Sequence, residues 1–291
     1  MVLFRDLNKS AVDLLGKGYP HEKAWDLECK YKSKNPEIVN TASVSPGGGF
    51  DASSKMKYCV RDVTAEVKMM ANGKSTIDVK YSMPELSGLT LGAKFDRRGE
   101  KASKDCLDIS AEYFSPALHS FFSVNPFASA FSLSGVFQYN TVRLGSEVHG
   151  KFDMSSLKYA VGAAYTGVAS RGGEFTVCLK TAPQGDGSFG RVIGSVHGRT
   201  SDRQPTELAA EVDYNVLEGG RANIQFGGLW YLNPQNDTYL KAKLSQNARL
   251  SFALSHRICD FVCATIGSQV DVTRPNSPEA VKHGMKLEIC A

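Results

Sequence analysis

The sequence predicts an all-β chain: a transmembrane antiparallel β-barrel of about 19 strands, closed by its first and last strand, with a short N-terminal amphipathic α-helix inside. Three observations predict it. Apolar residues recur at every second position from Trp25 to Ile289, the period of a strand with one buried face. Most of these runs are about 8–11 residues long, which is what a tilted strand needs to cross hydrocarbon. Only one stretch, Val2–Leu15, carries the period of a helix.

In chain order, the helical stretch places Leu3, Leu7, Ala11, Leu14 and Leu15 on one face. Arg5, Asp6, Asn8, Lys9, Asp13 and Lys17 lie largely on the other. Gly16, Gly18 and Pro20 then end the helix and supply a hinge, since two glycines and a proline do not extend it. Residues 1–20 are therefore read as helix and hinge, and 21–291 as the barrel. The first strand pattern sets Trp25, Leu27, Cys29 and Tyr31 against Asp26, Glu28, Lys30 and Lys32. Val63, Ala65, Val67 and Met69 follow, then an Asn72-Gly73 hairpin turn, then Ile77, Val79 and Tyr81 opposed by Asp78 and Lys80. The rhythm continues to His283, Met285, Leu287 and Ile289. The count is 18 or 19, depending on how the charge-free stretch His119–Val142 divides. Pro126, its serines and the alternation after Ala130 favour two strands there over one helix.

A soluble sandwich also alternates. Two features weigh against it. Trp25, Tyr31, Tyr81, Tyr113, Tyr139, Tyr214 and Trp230 recur near the ends of apolar faces, as in an interfacial girdle. A single sheet of this many strands must also curl or close, and in lipid a closed barrel alone leaves no edge.

Composition is compatible with this. The 291 residues are 42% hydrophobic and the mean hydropathy is −0.23, which reads as soluble only if half of every strand is ignored. No run of 18 apolar residues offers a transmembrane helix. The start lacks a secretory signal, so the expectation is a eukaryotic chain made in the cytosol. Seven cysteines without regular spacing argue against a disulfide framework. A net charge of +4 is too mild for a nucleic-acid partner, but matters if the charges line a channel. No enzyme chemistry is expected. Gly185-Asp186-Gly187-Ser188-Phe189-Gly190 spells a dinucleotide-type string, yet a strand pattern follows where that fold needs a helix. His256, Cys259 and Cys263 fit no common zinc spacing, so neither metal nor cofactor is expected.

A barrel of about 19 strands has a backbone diameter of roughly 38 Å and a lumen of roughly 25 Å, which a helix on the wall narrows to roughly 14 Å. That width passes hydrated ions and nucleotide-sized solutes. Selectivity then comes from the summed field of the lining. The helix contributes Arg5, Lys9 and Lys17, and the first strands contribute Lys30, Lys32, Lys55 and Lys57. Cations lead acids modestly, so a weak preference for anions is expected.

The residues Asp6-Leu7, Lys9-Ser10-Ala11, Asp13 and Lys17-Gly18-Tyr19 resemble the N-terminal motif of the voltage-dependent anion channels, the mitochondrial porins. The ending, His283–Ala291, is similar to that family's closing strand. The resemblance implies a voltage-gated channel of the mitochondrial outer membrane that passes ATP, ADP and other metabolites. It implies nucleotide contact at Lys9 and Lys17. Val12 stands where members often carry a basic residue, and Gly88-Leu89-Thr90 lacks the lysine of a family tripeptide. The partners implied are membrane lipid, anionic metabolites in transit, and a homo-oligomer or respiratory and outer-membrane complexes. Two alternatives share the fold: the pore subunit of the outer-membrane protein-import translocase, and a barrel that serves mainly as a scaffold. A soluble lipid- or ligand-binding β protein is the remaining alternative.

Overall fold

The computed structural model describes residues 2–33, 35–97, 105–169, 172–184, 188–200, 205–216, 222–233, 235, 237–274, 277 and 280–291. Of the dinucleotide-type string, 185–187 fall outside these residues; the chain after them is a strand, not a helix.

Nineteen strands form one closed sheet. The first half comprises β1 (Trp25–Lys32), β2 (Glu37–Val44), β3 (Phe50–Val60), β4 (Val63–Met70), β5 (Ser75–Ser82), β6 (Leu89–Arg97), β7 (Cys106–Phe114), β8 (Leu118–Asn125) and β9 (Ala130–Tyr139). The ring continues through β10 (Val142–Lys151), β11 (Leu157–Val168), β12 (Glu174–Gln184), β13 (Ser188–Arg199) and β14 (Thr206–Asn215). It is completed by β15 (Asn223–Tyr231), β16 (Thr238–Ser245), β17 (Arg249–Cys259), β18 (Val262–Asp271) and β19 (Val281–Cys290). The charge-free stretch does divide, into β8 and β9. Strands β2 and β3 are less legible in the alternation: β2 turns Val39 inward and Asn40 outward, against the rule its neighbours follow.

Every strand pairs antiparallel with its successor, and β1 closes the ring on β19 in parallel, from Trp25 opposite Met285 to Lys30 opposite Cys290. The expectation of a uniformly antiparallel barrel therefore holds except at the seam. An odd number of strands joined by hairpins brings the first and last strand together pointing the same way. This register sets Glu28 directly opposite Glu288, a repulsive arrangement on its own. Lys286 resolves it, lying 2.6 Å from Glu28 and ion-paired with Glu288, while Lys30 lies 3.0 Å from Glu28.

Cross-strand partners share a face, so the face of each residue follows around the ring. Outside stand exposed Leu, Ile, Val, Phe and Met side chains, with Trp25, Tyr81, Tyr113, Tyr139, Tyr214 and Trp230 among the exposed aromatics. No described helix is long and apolar enough to cross a membrane; the strands present the apolar surface. Two clusters of well-buried apolar residues instead lie inside the ring, between the N-terminal segment and the wall.

Candidate pore and its docked helix

The N-terminal segment is not one continuous helix. A single 3-10 turn, Phe4–Asp6, precedes α1 (Lys9–Gly16), and a second short turn, Pro20–Glu22, precedes β1. The change of pitch rotates Phe4, rather than Leu3, onto the wall side. Phe4 and Leu7 pack on Val136, Ala160, Ala164 and Cys178. Ala11, Leu14 and Leu15 pack on Ala209 and Leu229. The first turn contacts β9 and β10, α1 contacts β13–β15, and the last turn contacts β18 and β19. The segment thus runs along the inner wall as an internal plug that leaves the remaining lumen open.

Glycines in the wall create the room. Gly145 and Gly162 are cross-strand partners beneath the Phe4 ring; a Cβ at Gly145 would lie 2.9 Å from Phe4 Cδ2. Gly267 and Gly284 are likewise partners, beneath Pro20. A Cβ on Gly284 would meet the Pro20 carbonyl oxygen at 2.1 Å and that of Lys23 at 2.3 Å, so only glycine fits.

Lysines close the polar account. The last carbonyls of a helix have no partner within it. Lys243 Nζ donates to the Leu15 carbonyl and Lys241 Nζ to the Lys17 carbonyl, each at 2.8 Å, where cations also suit the helix dipole. Both ammonium groups lie over the Tyr19 ring, at 4.9 and 5.3 Å from its centroid. At the other end Lys180 Nζ donates to the Arg5 carbonyl at 3.1 Å, and Asn8 Nδ2 donates to Glu211 Oε2 at 3.1 Å. Burial raises the Tyr19 phenol well above its ordinary range. His21 is buried too; burial first, then the Lys243 cation, lowers its imidazole below the ordinary value.

A profile of the eukaryotic porin family matches residues 1–284. The chain belongs to the eukaryotic porin family. Its ring also resembles solved structures of the Rhodopseudomonas blastica porin. A double mutant of that porin has a TM-score of 0.52 at 10% identity, over 78% of this chain and 91% of that one. A triple mutant has a TM-score of 0.51 at 9% identity, over the same shares. At such identity the likeness is one of fold. No curated protein sequence matches the chain. This porin is a multi-pass membrane β-barrel that forms a pore.

The predicted cations lie on separate arcs of this porin's wall. On the plug, Lys17 pairs with Asp13 at 2.8 Å, Lys9 stands 3.9 Å from Asp6, and Arg5 stands 4.0 Å from Asp6; all three remain exposed to the lumen. On β1, Lys30 is bound to Glu28, while Lys32 is exposed opposite Glu37. On β3, Lys55 pairs with Glu66 at 2.8 Å, and Lys57 has Glu37 and Glu66 as cross-strand partners. These wall lysines do not meet the helix, which docks on β13–β15. Of the two hinge glycines, Gly18 has φ +78°, a conformation that favours glycine; Gly16 is the last residue of α1 and needs no such freedom. Sequence reasoning missed the grip of Lys241 and Lys243 on the helix. The usable signal was a pair of lysines on one face of one strand, together with a helix end that needs donors.

Proposed function

We propose that this porin is a voltage-gated channel of the mitochondrial outer membrane that carries ions and metabolites such as ATP and ADP, with a weak preference for anions. The observation that supports it best is the lining itself, in which Lys and Arg are interspersed with Asp and Glu on the water-facing side of the strands. A wide lumen with both signs of charge screens solutes by their overall charge, not by stripping water. The formal charge of the chain is +4, but docking retires Lys180, Lys241 and Lys243 from the open lumen, so the preference is weak. Voltage acts on the same segment. A charge crossing the whole field gains about 2.3 kcal/mol per 100 mV, and Arg5, Lys9 and Lys17 outnumber Asp6 and Asp13 by a single charge. A shallow, partial closure follows from so small a net charge. Membrane lipid, metabolites in transit, and a homo-oligomer or respiratory and outer-membrane complexes are the partners this reading entails, with no catalysis.

The test is reconstitution in a planar bilayer. Large stepwise currents that fall at raised voltage of either sign, with a reversal potential tilted toward chloride in a potassium chloride gradient, are expected. A tilt toward potassium would overturn the anion preference, and currents indifferent to voltage would overturn the gating.

A further inference from the structure

We propose that a recess in the lumen wall across β8–β11 is a binding site for phosphorylated anions, with Lys151 and Lys158 as its cationic arms. The proposal deepens the channel reading and rests on it, because the site opens to the lumen.

The recess encloses about 380 Å³, within the roughly 300–1,000 Å³ usual for small-ligand sites. It lies at one mouth, beside the turn that joins β10 to β11. Ser123 from β8 and Ser132 from β9 are cross-strand partners in its lining and offer hydroxyl donors. Lys158 faces His149 across the β10–β11 pair, and Lys151 ends β10.

What sets these two lysines apart is the concavity they share. Lys30, Lys55 and Lys94 each have a carboxylate within 3.0 Å. Neither Lys151 nor Lys158 makes an ion pair among the described residues. Asp108 also lines the recess, held in place by neutral donors, while Glu147 is paired with a histidine. Asp108 accepts from Asn125 Nδ2 at 2.9 Å and from Cys106 Sγ at 3.5 Å, and Glu147 is paired with His149 at 2.8 Å. Two ammonium groups and neutral hydroxyls therefore share one concavity with a single carboxylate, which leaves it net cationic. Phosphate suits this set better than a carboxylate does, since it carries more charge and an additional acceptor oxygen for the same donors.

The experiment titrates inorganic tripolyphosphate into the nitrogen-15-labelled full chain in detergent micelles and follows amide shifts. Saturable shifts centred on Ser123, Ser132, Lys151 and Lys158 are expected. The double variant Lys151→Gln/Lys158→Gln should bind about tenfold more weakly, as loss of charge-assisted hydrogen bonds predicts. A control pair, Lys68→Gln/Lys80→Gln, removes the same charge from β4 and β5 and should leave the affinity within twofold. Shifts spread over the whole lining, or equal weakening in both pairs, would show only the general field and overturn the site. Conductance of the same protein in a bilayer separates the two readings. A conducting pore without binding at the recess defeats the site and leaves the channel standing, whereas a protein that forms no pore defeats the reading on which both rest.

Discussion

Leu14→Ala should loosen the plug without touching the wall, and a native thiol reports the outcome. Leu14 is 4% exposed and packs with Leu15, Ala209 and Leu229. Truncating a buried leucine costs about 2–5 kcal/mol. Here one side of the contact is a surface helix that can settle, so the lower end, about 2 kcal/mol, is expected, which multiplies the undocked population roughly thirtyfold. Cys178 is 2% exposed beneath Phe4 and Leu7, in a separate cluster from Leu14. Its modification by a water-soluble maleimide requires Phe4 and Leu7 to lift, so faster labelling after a change at Leu14 shows that the segment undocks as one unit. Peptide mapping after labelling isolates Cys178 from Cys59 and Cys259, which are exposed in any case. The Cys178 rate should rise roughly thirtyfold. A rate within twofold of the unmodified protein would refute the reasoning, as would rapid labelling before any substitution.

Three further outcomes are expected. Gly284→Val drives a side chain into the Pro20 and Lys23 carbonyls and should cost about 1–3 kcal/mol of local docking, read as faster tryptic cleavage after Lys23 in otherwise intact barrels. His21 is held neutral when docked, so its contribution to linker docking is complete above its ordinary value near about 6.5 and is lost as pH falls through the lower docked value. Hydrogen-exchange protection of residues 21–24, corrected for intrinsic rates, should therefore decline below neutrality, and a rise would contradict the assignment. Val79→Arg should destabilise the barrel by about 2–4 kcal/mol if it faces mid-bilayer, while the adjacent Asp78→Arg should fold and move the reversal potential toward chloride. Equal tolerance in thermal unfolding would mean the two faces have been confused.

The faces of the strands were the most legible feature. Asp26, Glu28, Lys30 and Lys32 point inward as their alternation predicts, because the pleat assigns neighbours to opposite sides whatever the tertiary setting. The plug was legible in kind but not in detail. Its helical period identified Leu7, Ala11, Leu14 and Leu15, yet the 3-10 turn put Phe4 on the wall, and nothing local distinguishes that pitch from an α-helical start. The seats at Gly145/Gly162 and Gly267/Gly284 were invisible for a different reason. Each joins two strands and a plug residue more than one hundred positions away, and a glycine in a strand does not announce what lies above it. The lysine grip on Leu15 and Lys17 has the same origin, since contacts at a sequence separation above two hundred leave no periodic trace.

The parallel joint between β1 and β19 bears on how the molecule is made. Every other neighbour in the ring is supplied by the next stretch of chain, but the partner of Trp25–Lys30 is Met285–Cys290, at the far end of the run of strands. Until Met285–Cys290 arrives, two rows of amides and carbonyls stand unmatched, a condition hydrocarbon penalises severely. Closure of the ring must then await β19, and a chain cut short before that strand would leave β1 and β18 with open edges.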